Sequence, residues 1–381
     1  MNIILVDNPE IREALLPLTF TRPTALLPAG IGTIAERWAL LIPEANISFL
    51  TVEYLQVKYP ACEAPDALLI PGHIIPSPEL AAKVRALAPG EWIQTSAGEV
   101  ISHGRQLLPE PKEAGLEVTA YRLLTDIFRL SKERITADFD LLTAGRQSQP
   151  LSPSCTLIGP ADRLFIEEGA DVEGAFINTR QGPVYIGRRS EVQECVVLRG
   201  PVAIGPKCRV RAGARLLPGV NLGESTRVGG EISNTVFIGY SNKQHDGFLG
   251  DAVIGQWCNL GAGCVASNLK NDYSEIRLWS YGQQRFLRTG LQFCGLIMAD
   301  HCKAGINTMF NTATVVGPGC NIHGAGFPRP YVPAFSDGGA QGFTRVIFPK
   351  FMATATEMMR HRGLEISEAD KSILKNLYEN L

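Results

Sequence analysis

A six-residue period dominates the second half of the chain. Every sixth residue over one long stretch is aliphatic, and the series is Ile186, Val192, Leu198, Ile204, Val210, Leu216, Leu222 and Val228. This period matches neither an isolated strand nor a helix. It is typical of a triangular coil in which each hexad forms one flat face and its aliphatic side chain points inward. Residues from about Ile166 to Ile322 are therefore predicted to form a parallel β-helix, whose known form is left-handed.

The period continues beyond Val228 with two interruptions. Further series are Phe248, Ile254 and Leu260, and then Met298, Ala304, Phe310, Val316 and Ile322. The phase slips between Val228 and Ile238, and a polar, charged excursion separates Ala266 from Arg288. Insertions in solenoids become loops, often on the binding face, so we expect the excursion to be a loop.

The first 150 residues follow a different pattern, because short apolar strands alternate with amphipathic helices. The predicted strands are Met1–Asp7 and Ala67–Ile70, and the predicted helices are Ile31–Leu41, Pro78–Leu87 and roughly 117–132. Such alternation predicts an α/β domain. A proline-containing segment from Gln147 to Pro153 is the predicted linker. The predicted domains are therefore 1–150 (α/β), 151–335 (β-helix) and 336–381 (C-terminal helical extension).

The C-terminal extension carries its own helix signals. Ser367 followed three residues later by Asp370 is an N-cap signature. The helix that follows has an apolar face, which needs a partner surface, and we expect it to pack on a face of the coil or on a neighbouring subunit.

Composition argues against several classes of protein. The net charge is −2 and there is no long basic run, so neither nucleic acid nor a membrane surface is expected as a partner. No apolar stretch reaches the ~18 residues that span a bilayer, and the N-terminus does not resemble a signal peptide. Nine cysteines without a Cys-x-x-Cys pair argue against disulfides or a zinc ribbon and favour a reducing cytoplasm.

The segment from His245 to Asp251, together with Asn259–Gly263 and Asn268, carries a resemblance to a known family. It is similar to the acetyltransferase half of the bifunctional bacterial enzyme that makes UDP-N-acetylglucosamine. That family acetylates glucosamine-1-phosphate and then uridylates it. The spacing from His245 to each later element matches the family without a gap.

The resemblance implies roles for particular residues. His245 would be the general base, since a neutral imidazole can accept the proton that an attacking amine sheds. Asn268 would help bind the sugar amine, Gly261 and Ala262 would lie near acetyl-CoA, and Arg211 would bind phosphate. The alternative for His245 is a loop histidine in a polar turn.

The chain departs from the family at several positions. The family's tyrosine is Phe248 here, and two family lysines are missing. Lys243, Lys270 and Arg277 are the candidates to replace those lysines, and Asn259 is predicted to contact the substrate. These departures leave the acceptor open.

Longer motifs extend the resemblance to nearly the whole chain. Leu16–Pro23, Gly30–Trp38, Ser241–Gly250 and Gly305–Thr312 are similar to a divergent nucleotidyltransferase group of Bacteroidetes-type bacteria, described as an alternative form of the bifunctional enzyme. The resemblance implies a sugar nucleotidyltransferase-like N-terminal domain.

That N-terminal domain lacks the usual glycine-rich loop for the triphosphate. Arg12 and Arg22 are instead the candidates for phosphate contacts, and Asp7 is the candidate to hold Mg²⁺. The alternative is that Arg12 lies on a helix surface and Arg22 is structural.

The predicted function is acetyl transfer from acetyl-CoA to an amino-sugar phosphate, with possible nucleotidyl transfer from a nucleoside triphosphate such as UTP. One alternative is an acyltransferase whose N-terminal domain is not catalytic, and another is a non-catalytic β-helix scaffold. Because the family builds its acyl sites between subunits, we expect a homotrimer.

Overall fold

A computed structural model describes residues 1–381, and the chain divides into two compact units. The first comprises Met1–Leu124 and Ser367–Asn380, and the second comprises Thr125–Ile366 with Leu381. The division thus falls near Leu124 instead of the predicted residue 150. None of the helices is both long and apolar enough to cross a membrane.

The first unit is built on a mixed sheet. Its strands are β1 (Asn2–Val6), β2 (Asn46–Leu50), β3 (Leu68–Pro71), β4 (Ile74–Ile75), β5 (Trp92–Thr95), β6 (Val100–His103), β7 (Glu113–Leu116) and β8 (Thr119–Ala120). Six of them pair in the order β2-β1-β3-β6-β5-β7, and β4 pairs with β8. The central strand β1 is parallel to both neighbours, and its Ile3, Ile4 and Leu5 are all buried. A continuous apolar run is expected for a strand that is covered on both faces.

The helices between β1 and β5 are α1 (Pro9–Ala14), α2 (Ile34–Leu41), α3 (Glu53–Gln56) and α4 (Pro78–Arg85). A side-chain cap or a proline begins α1, α2 and α4, whereas α3 has neither. Thr33 and Glu36 form a capping box at α2, and the Ser77 side chain accepts a hydrogen bond at the start of α4. Both helices were predicted from sequence, α2 with three extra residues at its start and α4 with two extra residues at its end.

The second unit is a left-handed parallel β-helix, which confirms the predicted fold class. Two helices precede it, α5 (Leu124–Arg129) and α6 (Ser131–Thr143). Its first strands are β9 (Thr156–Ile158), β10 (Leu164–Ile166), β11 (Asp171–Val172), β12 (Phe176–Asn178), β13 (Val184–Ile186), β14 (Glu191–Val192), β15 (Val197–Arg199), β16 (Val202–Ile204), β17 (Arg209–Val210), β18 (Arg215–Leu216), β19 (Val220–Leu222), β20 (Arg227–Val228) and β21 (Glu231–Ser233). The later strands are β22 (Val236–Gly239), β23 (Asn242–Lys243), β24 (Phe248–Gly250), β25 (Val253–Gln256), β26 (Asn259–Leu260), β27 (Val265–Ala266), β28 (Arg277–Ser280), β29 (Arg285–Arg288), β30 (Ile297–Met298), β31 (Lys303–Ala304), β32 (Met309–Phe310), β33 (Val315–Val316), β34 (Asn321–Ile322), β35 (Tyr331–Val332), β36 (Ser336–Gly339) and β37 (Gly342–Arg345).

The strands of the coil form three faces. Face A consists of β9, β12, β15, β18, β21, β24, β27 and β32. Face B consists of β10, β13, β16, β19, β22, β25, β30, β33 and β35. Face C runs through β11, β14, β17, β20, β23, β26, β31, β34 and β36, and β37 pairs antiparallel with β36 at its end.

The interior of the coil explains the six-residue period. Val192 pairs with Val210, and Val210 pairs with Val228, so residues three hexads apart stack on one another. All eight members of the first aliphatic series are buried. The phase slip has a structural cause, because the next partner of Val228 is Lys243, fifteen residues on instead of eighteen. The corner at Gly229–Gly230 has two residues where the equivalent corner at 211–214 has four, and the third missing residue falls between Ile232 and Phe237.

Corners of the coil require an unusual backbone. Arg189, Lys207 and Ser225 stand eighteen residues apart at one corner, with φ of 56°, 57° and 57°. Residues with a side chain seldom adopt this left-handed region, so tight corners are held by the stacking of whole coils.

The excursion between Ala266 and Arg288 contains a hairpin. Strands β28 and β29 pair antiparallel, and the Trp279 ring stacks on Tyr331 with 4.1 Å between centroids. The excursion is therefore partly folded back onto the coil, where a loop had been expected.

Two helices pack on the outside of the coil. Helix α6 lies against β16 and β19, and Ser131 Oγ donates to Gly219 O at 2.9 Å. This contact explains why residues after Leu124 belong to the second unit. Helix α7 (Phe348–Arg360) places Phe351 edge-on against Phe335, with 5.3 Å between ring centroids.

The last helix, α8 (Glu368–Asn380), returns to the first unit and packs against α3. Ser367 Oγ accepts from the backbone of Asp370 at 3.0 Å, as the predicted N-cap requires. The apolar face is buried through Ile373, Leu374 and Leu377. The expectation that this helix packs on a coil face or a neighbouring subunit is therefore wrong, because α3 supplies the partner surface.

Candidate active site

His245 lies at the corner between faces C and A, in the turn from β23 to β24. Its side chain is exposed, whereas the backbone of the turn is fixed from both sides. The N–H of Gly263 donates to Asp246 O at 3.2 Å, and the N–H of Glu231 donates to Gly247 O at 3.1 Å. Gly247 has φ +129°, and a Cβ there would lie 2.1 Å from Cys264 O. The corner therefore presents an accessible imidazole on a well-defined backbone.

Lys243 occupies an interior position of the coil directly before this corner. It pairs with Val228 in the inward-facing column and has 0% of its surface exposed. Its Nζ donates to the carbonyl oxygens of His245 and Asp246, the latter at 3.1 Å. Burial of the ammonium lowers the pKa of Lys243. The prediction that Lys243 binds the sugar phosphate is therefore wrong, because its side chain is closed to solvent and tied to the backbone that carries His245.

The residues predicted beside His245 follow the same edge of the coil, which we call the His245 edge (residues 211–213, 229–230, 244–247 and 261–263). Gly263 bonds to Asp246, which sets Ala262 beside the His245 turn. On the other side, a Cβ at Gly229 would lie 2.2 Å from Gln244 O and 3.4 Å from Arg211 Cβ. Arg211, with its exposed side chain, thus follows the same edge as Ala262.

Asn259 stands on the outer side of face C, just before Ala262. Asn242 Nδ2 donates to Asn259 Oδ1 at 3.3 Å, and the two residues are register partners on neighbouring strands. The half-buried Asn259 amide therefore borders the His245 edge.

Asn268 lies at a different corner. Its Nδ2 donates to Asp251 Oδ2 at 2.7 Å, and Asn234 Nδ2 donates to Asp251 Oδ1 at 2.7 Å. Gly250 leaves room between the Phe248 ring and Asn268, since a Cβ there would lie 2.6 Å from the ring and 2.8 Å from Asn268 Nδ2. Phe248 and Asn268 thus come together, but the three residues of β24, about 10 Å of strand, separate this corner from His245.

Lys270 and Arg277, the two candidates in the excursion to replace the missing family lysines, do not belong to the His245 edge. Lys270 Nζ donates to Glu275 O at 2.9 Å and to Ser274 Oγ at 3.3 Å, so it closes its own loop. Arg277 is exposed at the start of β28. Neither contacts a residue of the His245 edge.

In the first unit, Asp7 lies at the carboxyl end of β1, where open α/β sheets bind their ligands. Its Oδ1 accepts from the N–H of Thr24 at 2.8 Å, and its Oδ2 accepts from Thr51 Oγ1 at 2.5 Å. Arg12 Nε stands 3.7 Å away, and only 4% of the Asp7 side chain is exposed. A carboxylate so enclosed does not fit the predicted role of a Mg²⁺ ligand. No group of three or more His, Cys, Asp or Glu side chains is arranged to hold a metal ion.

The two arginines predicted to contact phosphates are both buried. Arg12 Nη2 donates to Thr19 O and to Tyr54 Oη, each at 2.8 Å. Arg22 is 3% exposed, and its Nη2 donates to Thr21 Oγ1 at 3.2 Å. Arg12 is therefore not a helix-surface residue, and both guanidinium groups are held close to the loop that follows α1.

A buried charged cluster in the same unit was missed by the sequence analysis. His73 is 1% exposed, and its Nε2 lies 2.8 Å from Glu99 Oε1. Burial raises the pKa of Glu99, but hydrogen bonds from Arg122, Thr95 and His73 outweigh it and lower that pKa to about 2. Burial lowers the pKa of His73 despite the neighbouring carboxylate. The sequence offers only a weak signal, namely a histidine directly after a predicted buried strand.

Comparison with known proteins supports the two-part interpretation. Residues 3–147 match the model of the sugar nucleotidyl transferase family. The bifunctional protein GlmU of Azoarcus sp. (strain BH72) is 39% identical over 67 residues, which are 17% of this chain and 15% of the relative. The bifunctional protein GlmU of Micrococcus luteus is 27% identical over 164 residues, which are 42% of this chain and 28% of the relative. The predicted resemblance to the bifunctional enzyme is thus confirmed, at distant identity.

These matches cover less than a third of the length of either relative. Among solved structures, the polysialic acid O-acetyltransferase OatWY covers 51% of this chain and 85% of its own, with 12% identity and a TM-score of 0.27. That likeness is too weak to support an argument about function.

Proposed function

We propose that the protein is a transferase that moves the acetyl group of acetyl-CoA to the amine of an amino-sugar phosphate, at the His245 edge. The observation that carries the proposal is the exposed imidazole of His245 on a fixed corner, with Ala262 beside it and Asn259 bordering the same edge. The gap-free spacing to the family motif supports the same assignment. A non-catalytic scaffold would not need this arrangement.

The proposed chemistry is direct transfer. The amine nitrogen attacks the thioester carbonyl carbon, and His245 accepts the proton that the nitrogen loses. The tetrahedral oxyanion then collapses, the C–S bond breaks, and the thiolate of CoA leaves and is protonated. The N–H of Ala262 makes no hydrogen bond within the protein and is the candidate oxyanion donor.

We propose a homotrimer in which His245 and Asn268, which lie at different corners of the coil, reach one substrate from two copies of the chain. Light scattering at micromolar concentration tests this, and a monomeric mass would contradict it.

The test of acetyl transfer is the His245→Ala variant, with His323→Ala as the matched exposed control. A positioned base typically contributes ~10²–10⁴-fold, so kcat is expected to fall by that factor with little change in acetyl-CoA affinity. If His245→Ala acetylates its acceptor at the wild-type rate, His245 is only a loop residue.

For the first unit we propose nucleotidyl transfer from a nucleoside triphosphate such as UTP to the sugar 1-phosphate. The family match over residues 3–147 supports it. Incubation with sugar 1-phosphates, acetyl-CoA and nucleoside triphosphates, followed by mass analysis of the products, tests both halves together. Acetylated sugar without any nucleotide sugar would favour a non-catalytic first unit.

A further inference from the structure

A groove runs between helix α7 and the outer side of face C. It is open to solvent and has a volume of about 700 Å³, and eight of the ten residues that line it are polar or charged. The lining residues are Arg227, Asn242, Asn259, Lys303, Ala353, Thr354, Glu357, Met358, His361 and Arg362. Arg227, Lys303 and Arg362 are the basic residues among them besides His361, and Glu357 is the single acidic residue. The groove therefore has an excess of positive charge that the net charge of the chain does not suggest.

Arg227 is the first element of this excess. Its half-buried guanidinium makes no hydrogen bond and no ion pair. Arg209 stands next to it in the register of face C, but the Nε of Arg209 is already bonded to Glu191 Oε2 at 2.6 Å. Burial and the charge of Arg209 lower the pKa of Arg227. Arg227 is thus a cation beside another cation. The Glu191 carboxylate raises the pKa of Arg227, but its effect is the smallest of the three and its Oε2 is bonded to Arg209.

Arg362, just beyond α7, is the second element. Its Nη1 donates to Ser225 O at 2.8 Å and its Nη2 donates to Asn242 Oδ1 at 2.7 Å. These bonds fix the guanidinium on the coil but supply no negative charge. Burial and the charge of Arg227 lower the pKa of Arg362 to about 10.

The remaining charged groups do not neutralise the pair. Glu357 bonds to Arg360 on its own helix at 2.6 Å and lies 3.0 Å from His361. Lys303 Nζ donates to the carbonyl oxygens of Trp257 and His301, which are uncharged. Two guanidinium groups held together in a partly desolvated groove repel each other unless an anion lies between them.

We propose that Arg227 and Arg362 bind a phosphate group in this groove. Guanidinium groups match the geometry of phosphate oxygens, and two of them with nearby amides form a dianion site. Asn242 bonds to Arg362, and Asn259 borders the His245 edge, so the groove adjoins the proposed acetyl-transfer site. That the phosphate belongs to the acceptor amino sugar rests on the proposed function, whereas the anion site itself does not. The Arg227–Arg362 pair would thus supply the positive charge that lysines supply in the family this chain resembles.

The test is calorimetric titration of the 381-residue chain with five probes. Inorganic phosphate tests the anion site, glucosamine 1-phosphate against glucosamine tests the acceptor, and CoA against dephospho-CoA tests the 3′-phosphate of the co-substrate. The variants are Arg227→Gln and Arg362→Gln, with Arg215→Gln on face A as a control of equal charge change. Because Arg227 makes no bonds, its variant is expected to keep the wild-type unfolding temperature, whereas the Arg362 variant also removes contacts that hold the segment after α7.

We expect Arg227→Gln to weaken binding of inorganic phosphate and glucosamine 1-phosphate by roughly 10- to 100-fold, the usual effect of one charge-assisted hydrogen bond. Arg215→Gln should bind both like the wild type. Unchanged phosphate binding by Arg227→Gln would overturn the inference even if acetylation is present. A loss confined to CoA, with glucosamine 1-phosphate unaffected, would overturn the assignment to the acceptor. Intact phosphate binding in a protein that never acetylates would instead overturn the proposed function alone.

Discussion

Replacing Lys243 by methionine separates the chemistry of the His245 corner from the stability of the coil. Methionine is unbranched and apolar, so it can follow the path of the lysine stem through the interior column. What is lost is the ammonium that donates to the carbonyl oxygens of His245 and Asp246. We expect the coil to remain folded and the corner to become less well positioned.

The magnitudes follow from these contacts. A hydrogen bond to a charged group is worth about 1.5–3 kcal/mol, so two of them stabilise the fold by about 3–6 kcal/mol. Burying the ammonium costs several kcal/mol, which opposes that gain. The free energy of unfolding should therefore change by no more than about 2 kcal/mol. A displacement of about 1 Å at a catalytic group can cost 10²-fold, so kcat for acetyl transfer should fall by ~10–100-fold.

The pH dependence of stability provides a second readout. The pKa of Lys243 is lowered in the folded state, so between that pKa and 10.5 the unfolded chain binds the extra proton. Stability of the wild type therefore rises with pH across this window, and the Lys243→Met variant lacks this contribution. Urea unfolding at a series of alkaline pH values measures the difference between the two proteins.

Leu260→Met is the matched control, since Leu260 is also an interior residue of face C but donates no hydrogen bond. It should keep wild-type activity and the wild-type pH dependence. If Lys243→Met acetylates its acceptor at the wild-type rate and has the same alkaline stability profile, the ammonium neither positions the corner nor carries a lowered pKa.

Two further substitutions test the first unit. Because the folded pKa of Glu99 is about 2, below its ordinary 4.5, its contribution is present above pH 4.5 and is lost as the pH falls toward 2. Glu99→Gln should remove this acid-dependent loss of the free energy of unfolding, which we expect to be about 1–2 kcal/mol after allowance for partial solvation. Urea unfolding at a series of acidic pH values measures it, with the exposed Glu113→Gln as the control. Identical acid profiles for the two variants would refute the prediction. Leu377→Ala should destabilise the first unit by about 2–4 kcal/mol because Leu377 is 3% exposed, whereas Leu381→Ala, 47% exposed, should change thermal unfolding little. Equal unfolding temperatures for these two variants would mean that α8 contributes nothing to the unit.

The β-helix could be predicted because its signal is periodic and strictly local. Each hexad repeats the same inward position, so eight aliphatic residues in sequence already define the coil. Lys243 could not be placed in the same way. Its residue type favours the surface, and only the register with Val228 shows that it points inward.

The candidate site was predicted in part. Spacing along the chain correctly brings Ala262 beside the His245 turn, because both belong to one corner in successive coils. The same spacing does not reveal that Asn268 lies at the next corner of the coil, after face A. The number of residues between two motif positions does not show how many corners separate them. Arg227 and Arg362 were not predicted at all, because the groove that both of them line depends on helix α7 lying over face C.

The partner of the last helix was equally inaccessible from sequence. An amphipathic pattern in α8 predicts that a partner surface exists, but any apolar surface satisfies it. The contact with α3 joins residues more than 300 positions apart, and so does the 2.5 Å hydrogen bond from Lys58, just after α3, to Asp370.

The return of α8 to the first unit has a consequence during biosynthesis. The surface that receives α8 is made early, whereas α8 follows only after the roughly 240 residues of the second unit. At ~5–20 residues per second, a ribosome needs about 12–50 s for that stretch. For tens of seconds the nascent first unit therefore exposes the surface that will later receive Ile373, Leu374 and Leu377 of α8. During this time the coil can already assemble one turn after another. A chaperone that shields this surface on the nascent chain would therefore have to release it before the last helix can dock.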